Sequence, residues 1–179
     1  MIKLENICKS YDEKTVLDNI MAEFPDDSIT CIMGESGAGK TTLVRIIAGL
    51  ENADRGTVSG AGVVSFDFQE DRLINDISAA DNIMLVLDKN DFGGHDKKTM
   101  RKIINENLAE VLKDYPSDKS TGTYSGGMKR RVCLVRAMMK KSDTVILDEP
   151  FSALDTFLKW NLELELADLL ADFPGPILW

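Results

Sequence analysis

The stretch GESGAGKT, residues 34–41, holds the clearest candidates for chemistry in this chain. It follows the apolar run 29–33 and precedes the apolar run 43–47, so a strand, a glycine-rich turn and a helix are predicted. Its three glycines are expected to turn with positive φ and to present backbone N–H groups at the helix start to phosphate oxygens. Lys40 would reach the β- and γ-phosphates, and Thr41 would hold a magnesium ion. The pattern predicts a site for a nucleoside triphosphate; the alternative is a glycine-rich turn that contains a lysine by chance.

A pair of carboxylates follows a second apolar run. Residues 143–147 read as a buried strand, and Asp148, Glu149 and Pro150 come directly after it. Carboxylates at the carboxyl end of a parallel strand face the ligand crevice of the sheet. Asp148 is therefore predicted to hold magnesium through water, and Glu149 to polarise an attacking water. An acidic turn that merely closes the strand is the alternative.

A third element, YSGGM at 124–128, precedes the helix-like stretch 129–138. Ser125 is predicted to cap that helix, and the paired glycines Gly126 and Gly127 would let oxygens of a ligand approach bare N–H groups. This predicts a second anion site, with a flexible turn and a cap as the alternative.

The motifs GESGAGKT, YSGGM, VILDEP and SALD, in this order, resemble those of the nucleotide-binding subunit of an ATP-binding cassette (ABC) transporter. The stretches FQEDRLI and YSGGMKRRV are similar to those of bacterial importer ATPases of the nitrate, sulfonate and taurine type. The resemblance covers Ile2 to Trp179. It implies an α/β fold: a P-loop NTPase (RecA-like) core with a mainly parallel sheet, an N-terminal antiparallel β portion and a helical ABC-specific lobe. One domain, 1–179, would divide into an ATP-binding core, 1–70 and 120–179, and a helical subdomain, 71–119.

The resemblance also implies roles for individual residues. Lys40, Gln69 and Glu149 would be catalytic, and Thr41, Gln69 and Asp148 would bind Mg²⁺. The nucleotide-binding residues would be Tyr11, Gly34, Glu35, Ser36, Gly37, Ala38, Gly39, Lys40, Thr41 and Thr42. A second copy of the chain would supply the signature residues Ser125, Gly126, Gly127 and Met128, with Asp155 as a polar contact across the dimer.

Two of these assignments have ordinary structural alternatives. Tyr11 would stack on adenine, but an exposed tyrosine in a hairpin fits the same position. The loop 152–155 would cross to the opposing subunit, and it also reads as a helix N-cap; both can hold together.

One departure concerns the end of the chain. The family carries a switch histidine after the strand that follows the DEP strand, here 176–179, and the chain stops at Trp179. Either the chain is truncated before that histidine, or hydrolysis proceeds without its γ-phosphate contact. The single histidine, His95, lies in a polar run and is predicted to be an exposed loop residue. An exposed apolar sheet edge is expected near Trp179.

Composition limits the remaining function classes. A chain of 179 residues with 44% hydrophobic residues is long enough for one compact unit. Without an apolar run near 20 residues, and with no apolar signal core at the N-terminus, a cytoplasmic protein is predicted. The three cysteines are expected to be buried thiols. A net charge of −9 argues against a nucleic-acid partner. The basic residues of one stretch are expected to form a solvated helix face: Lys129, Arg130, Arg131 and Arg136.

The segment 71–118 reads as a charged helical insertion with an apolar patch at 83–87. Apolar residues recur at helical spacing over 103–112, and 161–172 reads as a further helix. A head-to-tail homodimer would sandwich two ATP molecules with Mg²⁺. The resemblance implies that closing and opening of this dimer drive permease subunits, and that an extracytoplasmic substrate-binding protein supplies them. It also implies that the subunit is peripheral on the inner face of the cell membrane. A soluble ABC ATPase and a weakly hydrolysing nucleotide-dependent binding module remain the alternatives.

Overall fold

The computed structural model of the chain describes residues 1–112, 116–150, 170 and 173–179. These residues form two compact units. The first unit consists of Met1–Phe66, Ser142–Asp148 and Phe173–Trp179, and the second of the described residues within 67–141 and 149–172. This division differs from the one predicted from sequence, because residues 120–141 belong with the helical part. Asp155 lies outside the described residues. So does the helix predicted over 161–172, of which only Leu170 is described.

The first unit contains a three-stranded antiparallel sheet of order β2-β1-β4. Its strands are β1 (Ile2–Tyr11), β2 (Lys14–Phe24) and β4 (Arg55–Ser59). A two-residue turn joins β1 to β2, since the last residue of β1 pairs with the first of β2. Early β1 alternates buried and exposed side chains, as a half-buried strand does.

The second sheet has the order β3-β7-β6-β5. Its strands are β3 (Ser28–Thr30), β5 (Val64–Asp67), β6 (Thr144–Leu147) and β7 (Pro176–Leu178). β7 pairs in parallel with both β3 and β6. The predicted exposed edge near Trp179 is therefore wrong: β7 is an interior strand whose backbone groups are bonded on both sides. Trp179 itself extends the ladder, donating its N–H to Thr30 O at 2.9 Å.

One helix of the first unit, α1 (Lys40–Ile47), buries one face in the apolar core. That core joins both sheets, since it includes Ile2 and Ile7 of β1, Ile46 of α1, Ile146 of β6 and Leu178 of β7. Burial of these side chains is the main stabilising term for the unit.

The second unit is helical, with α2 (Ala79–Met84), α3 (Lys97–Leu112), a short 3₁₀ turn (Thr121–Thr123) and α4 (Gly126–Met139). Its core contains Ile83, Ile104, Leu108 and Val132, so the predicted helical spacing of 103–112 is confirmed. The predicted apolar patch at 83–87 is divided: α2 ends at Met84, and Leu85 and Val86 are 63% and 45% exposed. Among the described residues, no helix has the length and apolar character required to cross a bilayer.

The prediction of a solvated basic face on α4 is wrong for Arg130. Its side chain is buried and forms an ion pair with buried Asp67. Arg136 is also engaged, donating to the carbonyl oxygens of Asp71 and Arg72. Charge counting along a helix cannot reveal this, because the partners lie more than 60 residues away in sequence.

The cysteine prediction holds for one residue of three. Cys133 is buried, and burial raises the pKa of its thiol to about 12. Cys8 is half-buried and Cys31 is exposed. Cys31 directly follows the last residue of β3. His95 is exposed, as predicted.

Candidate functional site

The glycine-rich loop lies between β3 and α1. Gly37 and Gly39 have φ of 81° and 91°, and Gly39 is the N-cap of α1, where no side chain supplies a capping bond. The expectation of positive φ is confirmed at these two positions and is wrong at Gly34, which is not in that region. The N–H groups at the start of α1 are therefore not capped by a side chain of the N-cap residue. Backbone N–H groups at a helix start, preceded by a glycine-rich loop, are the arrangement that binds phosphate.

Gly39 is also required by close packing against β2. A Cβ at this position would lie 2.9 Å from Val16 Cγ1 and 3.1 Å from Val16 O. Residues 34–38 are exposed, whereas 39–42 are half-buried. The loop is therefore anchored at its helical end and open along its first half.

The Lys40 ammonium lies across the loop. Its Nζ donates to Gly34 O at 2.8 Å and to Glu35 O at 3.0 Å. These bonds hold the Lys40 ammonium over the exposed half of the loop. Anionic oxygens bound to the N–H groups of the loop would lie close to that positive charge.

Two oxygen-bearing side chains of the first unit meet beside the loop. Thr41 Oγ1 donates to Asp148 Oδ1 at 3.2 Å, although the residues are 107 positions apart. Asp148 follows the fully buried strand β6 and is 6% exposed. Magnesium is usually held in phosphate sites by one or two protein oxygens together with phosphate oxygens and water. The hydroxyl and the carboxylate fit that requirement.

Tyr11 ends β1 in the same unit and is 44% exposed. Its hydroxyl donates to the Glu51 carboxylate, and Lys9 Nζ lies 5.4 Å from its ring centroid. The hydrogen bond of the hydroxyl thus fixes one end of the Tyr11 side chain, and part of the side chain remains exposed to solvent. Its contact with an adenine stays a prediction.

Two further predicted residues meet within the second unit. Gln69 Nε2 donates to Glu149 Oε2 at 3.3 Å, and both residues are exposed. Glu149 has φ of 49°, a left-handed conformation that is uncommon for a residue with a Cβ. Such strain marks a position that its surroundings hold in place, and it is frequent at functional sites.

The YSGGM element caps α4 as predicted. Ser125 Oγ accepts from Met128 N at 3.3 Å, and α4 begins at Gly126. A Cβ on Gly126 would meet nothing within 4 Å, whereas Gly127 is buried and Met128 packs against the helical core. The helix start is therefore accessible at Gly126. A second anion there stays a prediction.

The structure thus brings predicted residues into contact in two pairs, one in each unit. Thr41 meets Asp148 in the first unit, and Gln69 meets Glu149 in the second. Tyr11 belongs to the first unit and the YSGGM element to the second. The sequence analysis missed the buried ion pair of Asp67 and Arg130. The one available signal was a carboxylate inside the apolar run VVSFDF, because a buried charge requires a partner of opposite charge.

Comparison with known proteins agrees with this geometry. A family model described as ABC transporter matches residues 17–152. The sulfate/thiosulfate import ATP-binding protein CysA of Vibrio vulnificus is 34% identical over 180 residues, 94% of this chain and 52% of that protein. The aliphatic sulfonates import ATP-binding protein SsuB 2 of Burkholderia cenocepacia is 35% identical over 170 residues, 90% of this chain and 60% of that protein. The spermidine/putrescine import ATP-binding protein PotA of Lawsonia intracellularis is 36% identical over 177 residues, 94% and 48% of the two chains.

This chain therefore spans about half the length of the curated relatives it matches. Among solved structures, the ATP-binding cassette MJ0796, in a dimeric post-hydrolysis state bound to ADP and Pi, superposes with a TM-score of 0.81 at 24% identity, covering 99% of this chain and 86% of that one. The likeness confirms the α/β cassette fold with its parallel sheet, antiparallel β portion and helices.

Proposed function

Because the chain belongs to the ABC transporter family, we propose that it is an ATP-binding and hydrolysing subunit of an importer of a small anion or organic solute. The observation that carries the proposal is the contact of Thr41 with Asp148 beside the glycine loop. A hydroxyl and a carboxylate that meet at the start of a phosphate-binding helix fit a metal-bound triphosphate and have no evident use in a purely structural turn. The import role is inferred from the relatives, which are import ATP-binding proteins.

Binding rests on charge and backbone geometry in the first unit. The loop N–H groups would donate to the phosphate oxygens, and the Lys40 ammonium would neutralise charge on the β- and γ-phosphates. Thr41 and Asp148 would hold Mg²⁺ with assistance from Gln69, and the ion's chemistry there is neutralisation of charge on the phosphates. Tyr11 would receive the adenine on its exposed face.

Hydrolysis requires a water aligned with the γ-phosphate. Glu149, the residue after Asp148, would accept a proton from that water, and Gln69 would orient the carboxylate through its amide. In phosphoryl transfer the protein mainly positions groups and stabilises charge. The left-handed backbone conformation of Glu149, with φ of 49°, suits such a positioning role.

A second copy of the chain would complete the site. Ser125, Gly126 and Gly127 at the start of α4 would bind the γ-phosphate of the nucleotide held by the partner, so that ATP joins the two copies and its cleavage releases them. Asp155 would contribute a polar contact between the copies. Such a cycle would drive permease subunits, with a substrate-binding protein outside the membrane and this subunit peripheral on its inner face.

The first test concerns ATP binding. Lys40→Ala is expected to weaken Mg-ATP binding by roughly 10- to 150-fold, because a hydrogen bond to a charged group contributes about 1.5 to 3 kcal/mol. Titration calorimetry measures it, with Lys89→Ala, an exposed lysine in a turn of the second unit, as the matched control. Unchanged affinity in Lys40→Ala would remove the central assignment.

The second test concerns hydrolysis. Glu149→Gln is expected to bind ATP, to release phosphate at least about 100-fold more slowly, the usual scale of general-base catalysis, and to accumulate an ATP-dependent dimer. Phosphate release and light scattering report the two effects, and Glu110→Gln on the exposed face of α3 is the control. Parent-like turnover in Glu149→Gln would contradict its role. A parent that binds ATP without turnover, with or without permease, would favour the binding-module alternative.

A further inference from the structure

A buried ion pair joins Asp67 to Arg130 within the second unit. The two residues are 1% and 4% exposed, and Arg130 Nη2 donates to Asp67 Oδ2. Removing two charges from water is costly, and replacing such a pair by apolar side chains is often neutral or stabilising. Stability alone therefore does not account for the pair, and a second use is expected.

The second arm of the guanidinium indicates that use. Arg130 Nη1 donates to Phe68 O at 3.0 Å, directly before Gln69 in the chain. Further along the same face of α4, Cys133 Sγ lies 3.1 Å from Asp71 O, and Arg136 Nη2 donates to that oxygen at 2.9 Å. Arg136 Nη1 reaches the carbonyl of the next residue at 3.1 Å. Helix α4 thus holds the backbone on both sides of Gln69 and Glu70.

The segment 67–72 is also closed upon itself. The Arg72 guanidinium carbon lies 3.6 Å from the centroid of the Phe68 ring, and Arg72 has φ of 47°. The stacked pair draws the ends of the segment together. Gln69 and Glu70 lie exposed between those ends.

We propose that Arg130 is a positioning residue for ATP hydrolysis: through the Phe68 carbonyl it holds Gln69 in reach of Glu149, so that Gln69 and the Ser125-capped helix α4 shift as one body. The inference rests on the proposed function, in which Gln69 orients Glu149. Any displacement of α4 by a partner copy at Ser125 is then transmitted to the Glu149 carboxylate.

The test replaces the ion pair without leaving a buried charge. Arg130→Met alone strands the Asp67 carboxylate and risks unfolding, whereas Asp67→Leu/Arg130→Met substitutes apolar side chains, an exchange that is often neutral for stability. The double variant is expected to keep its melting temperature and its ATP affinity. Its kcat should fall about 10-fold with KM unchanged, since a misplaced positioning group loses orientation in the chemical step.

A mutant cycle separates positioning from a general structural effect. In a Gln69→Ala background the same double substitution is expected to cause no further loss of kcat, because the group that it positions is absent. Losses that multiply in the two backgrounds, or parent-like kcat in the double variant, would overturn the inference.

A second readout needs no hydrolysis, so failure of the proposed function stays distinguishable. A spin label at Glu70→Cys, with Cys8 and Cys31 replaced by serine, is expected to report a rotational correlation time at least about two-fold shorter on the nanosecond scale in the double variant. Arg101→Met, which breaks the ion pair of α3 with Asp81 elsewhere in the unit, should leave that signal unchanged. Equal mobility of the label in the parent and the double variant would refute the proposal that Arg130 holds this segment, even in a chain that does not hydrolyse ATP.

Discussion

At the scale of residues, the phosphate site depends on a few polar atoms that a mostly apolar unit holds in place. Asp148 projects from the end of a strand whose four residues are all buried, so its carboxylate has little freedom. Thr41 lies in the first turn of α1, and its hydroxyl donates to Asp148 Oδ1. The hydroxyl and the carboxylate are thereby oriented before any ligand arrives, and preorganisation of this kind reduces the entropic cost of binding.

This arrangement predicts a magnesium-specific defect. Thr41→Val removes the hydroxyl at nearly constant volume and is expected to weaken Mg-ATP binding by roughly 10-fold, within the range for one hydrogen bond to a charged group. ATP binding in EDTA should hardly change. Thr41→Ser, which retains the hydroxyl, is the matched control. Equal Mg-ATP affinity of parent and Thr41→Val in calorimetry would exclude this residue from the metal site.

At the scale of elements, α4 combines a structural cap with a candidate ligand site. The same Ser125 hydroxyl that accepts from Met128 N is expected to approach a phosphate of the partner's nucleotide. Gly126 leaves open space at that helix start, whereas the buried Gly127 and the half-buried Met128 anchor the element in its own unit. Stability and ligand contact can be measured separately at this position.

Loss of the cap is expected to cost about 1 kcal/mol in Ser125→Ala, which corresponds to a fall in Tm of roughly 2 to 4 °C for a chain of this size. Ser125→Thr retains a capping oxygen and should melt close to the parent. Thermal unfolding followed by circular dichroism gives both values. If Ser125→Ala melts with the parent, the hydroxyl does not stabilise the helix.

At the scale of the whole molecule, the second unit carries several carboxylates whose charged forms are stabilised by the fold. Hydrogen bonds from Arg101 and Ser78 lower the pKa of Asp81 below the usual 3.8. The backbone N–H of Asn90 lowers the pKa of Asp88, and that of Thr99 lowers the pKa of Asp96. With a lowered pKa in the folded state, the stabilisation is complete above the unfolded value and is lost as pH falls through the folded values.

Acid is therefore expected to destabilise the second unit below about pH 4, near the ordinary pKa of aspartate, while stability between pH 5 and 7 changes little through these groups. Melting curves at pH 7, 5 and 3 measure the effect. Asp81→Asn should reduce the fall in Tm between pH 5 and 3, and Asp118→Asn, an exposed residue, serves as the control. An unchanged fall in Asp81→Asn would show that this carboxylate does not contribute.

Local chemistry was available to prediction because it depends on neighbours in the chain. The glycine loop before α1, the cap at Ser125 and the helical spacing of 103–112 were all predicted correctly. Each follows from backbone geometry or a 3.6-residue period that a short window contains.

Long-range placement was decided only by the tertiary structure. β7 lies between β3 and β6, and Arg130 is buried with Asp67 from 63 residues away. Thr41 meets Asp148 across 107 residues. Such contacts depend on which strands pair and which side chains the packed core excludes from water, and neither periodicity nor charge count along the chain encodes those outcomes. The sequence by itself determined the chemistry that the chain carries, and the folded structure determined which of those groups meet.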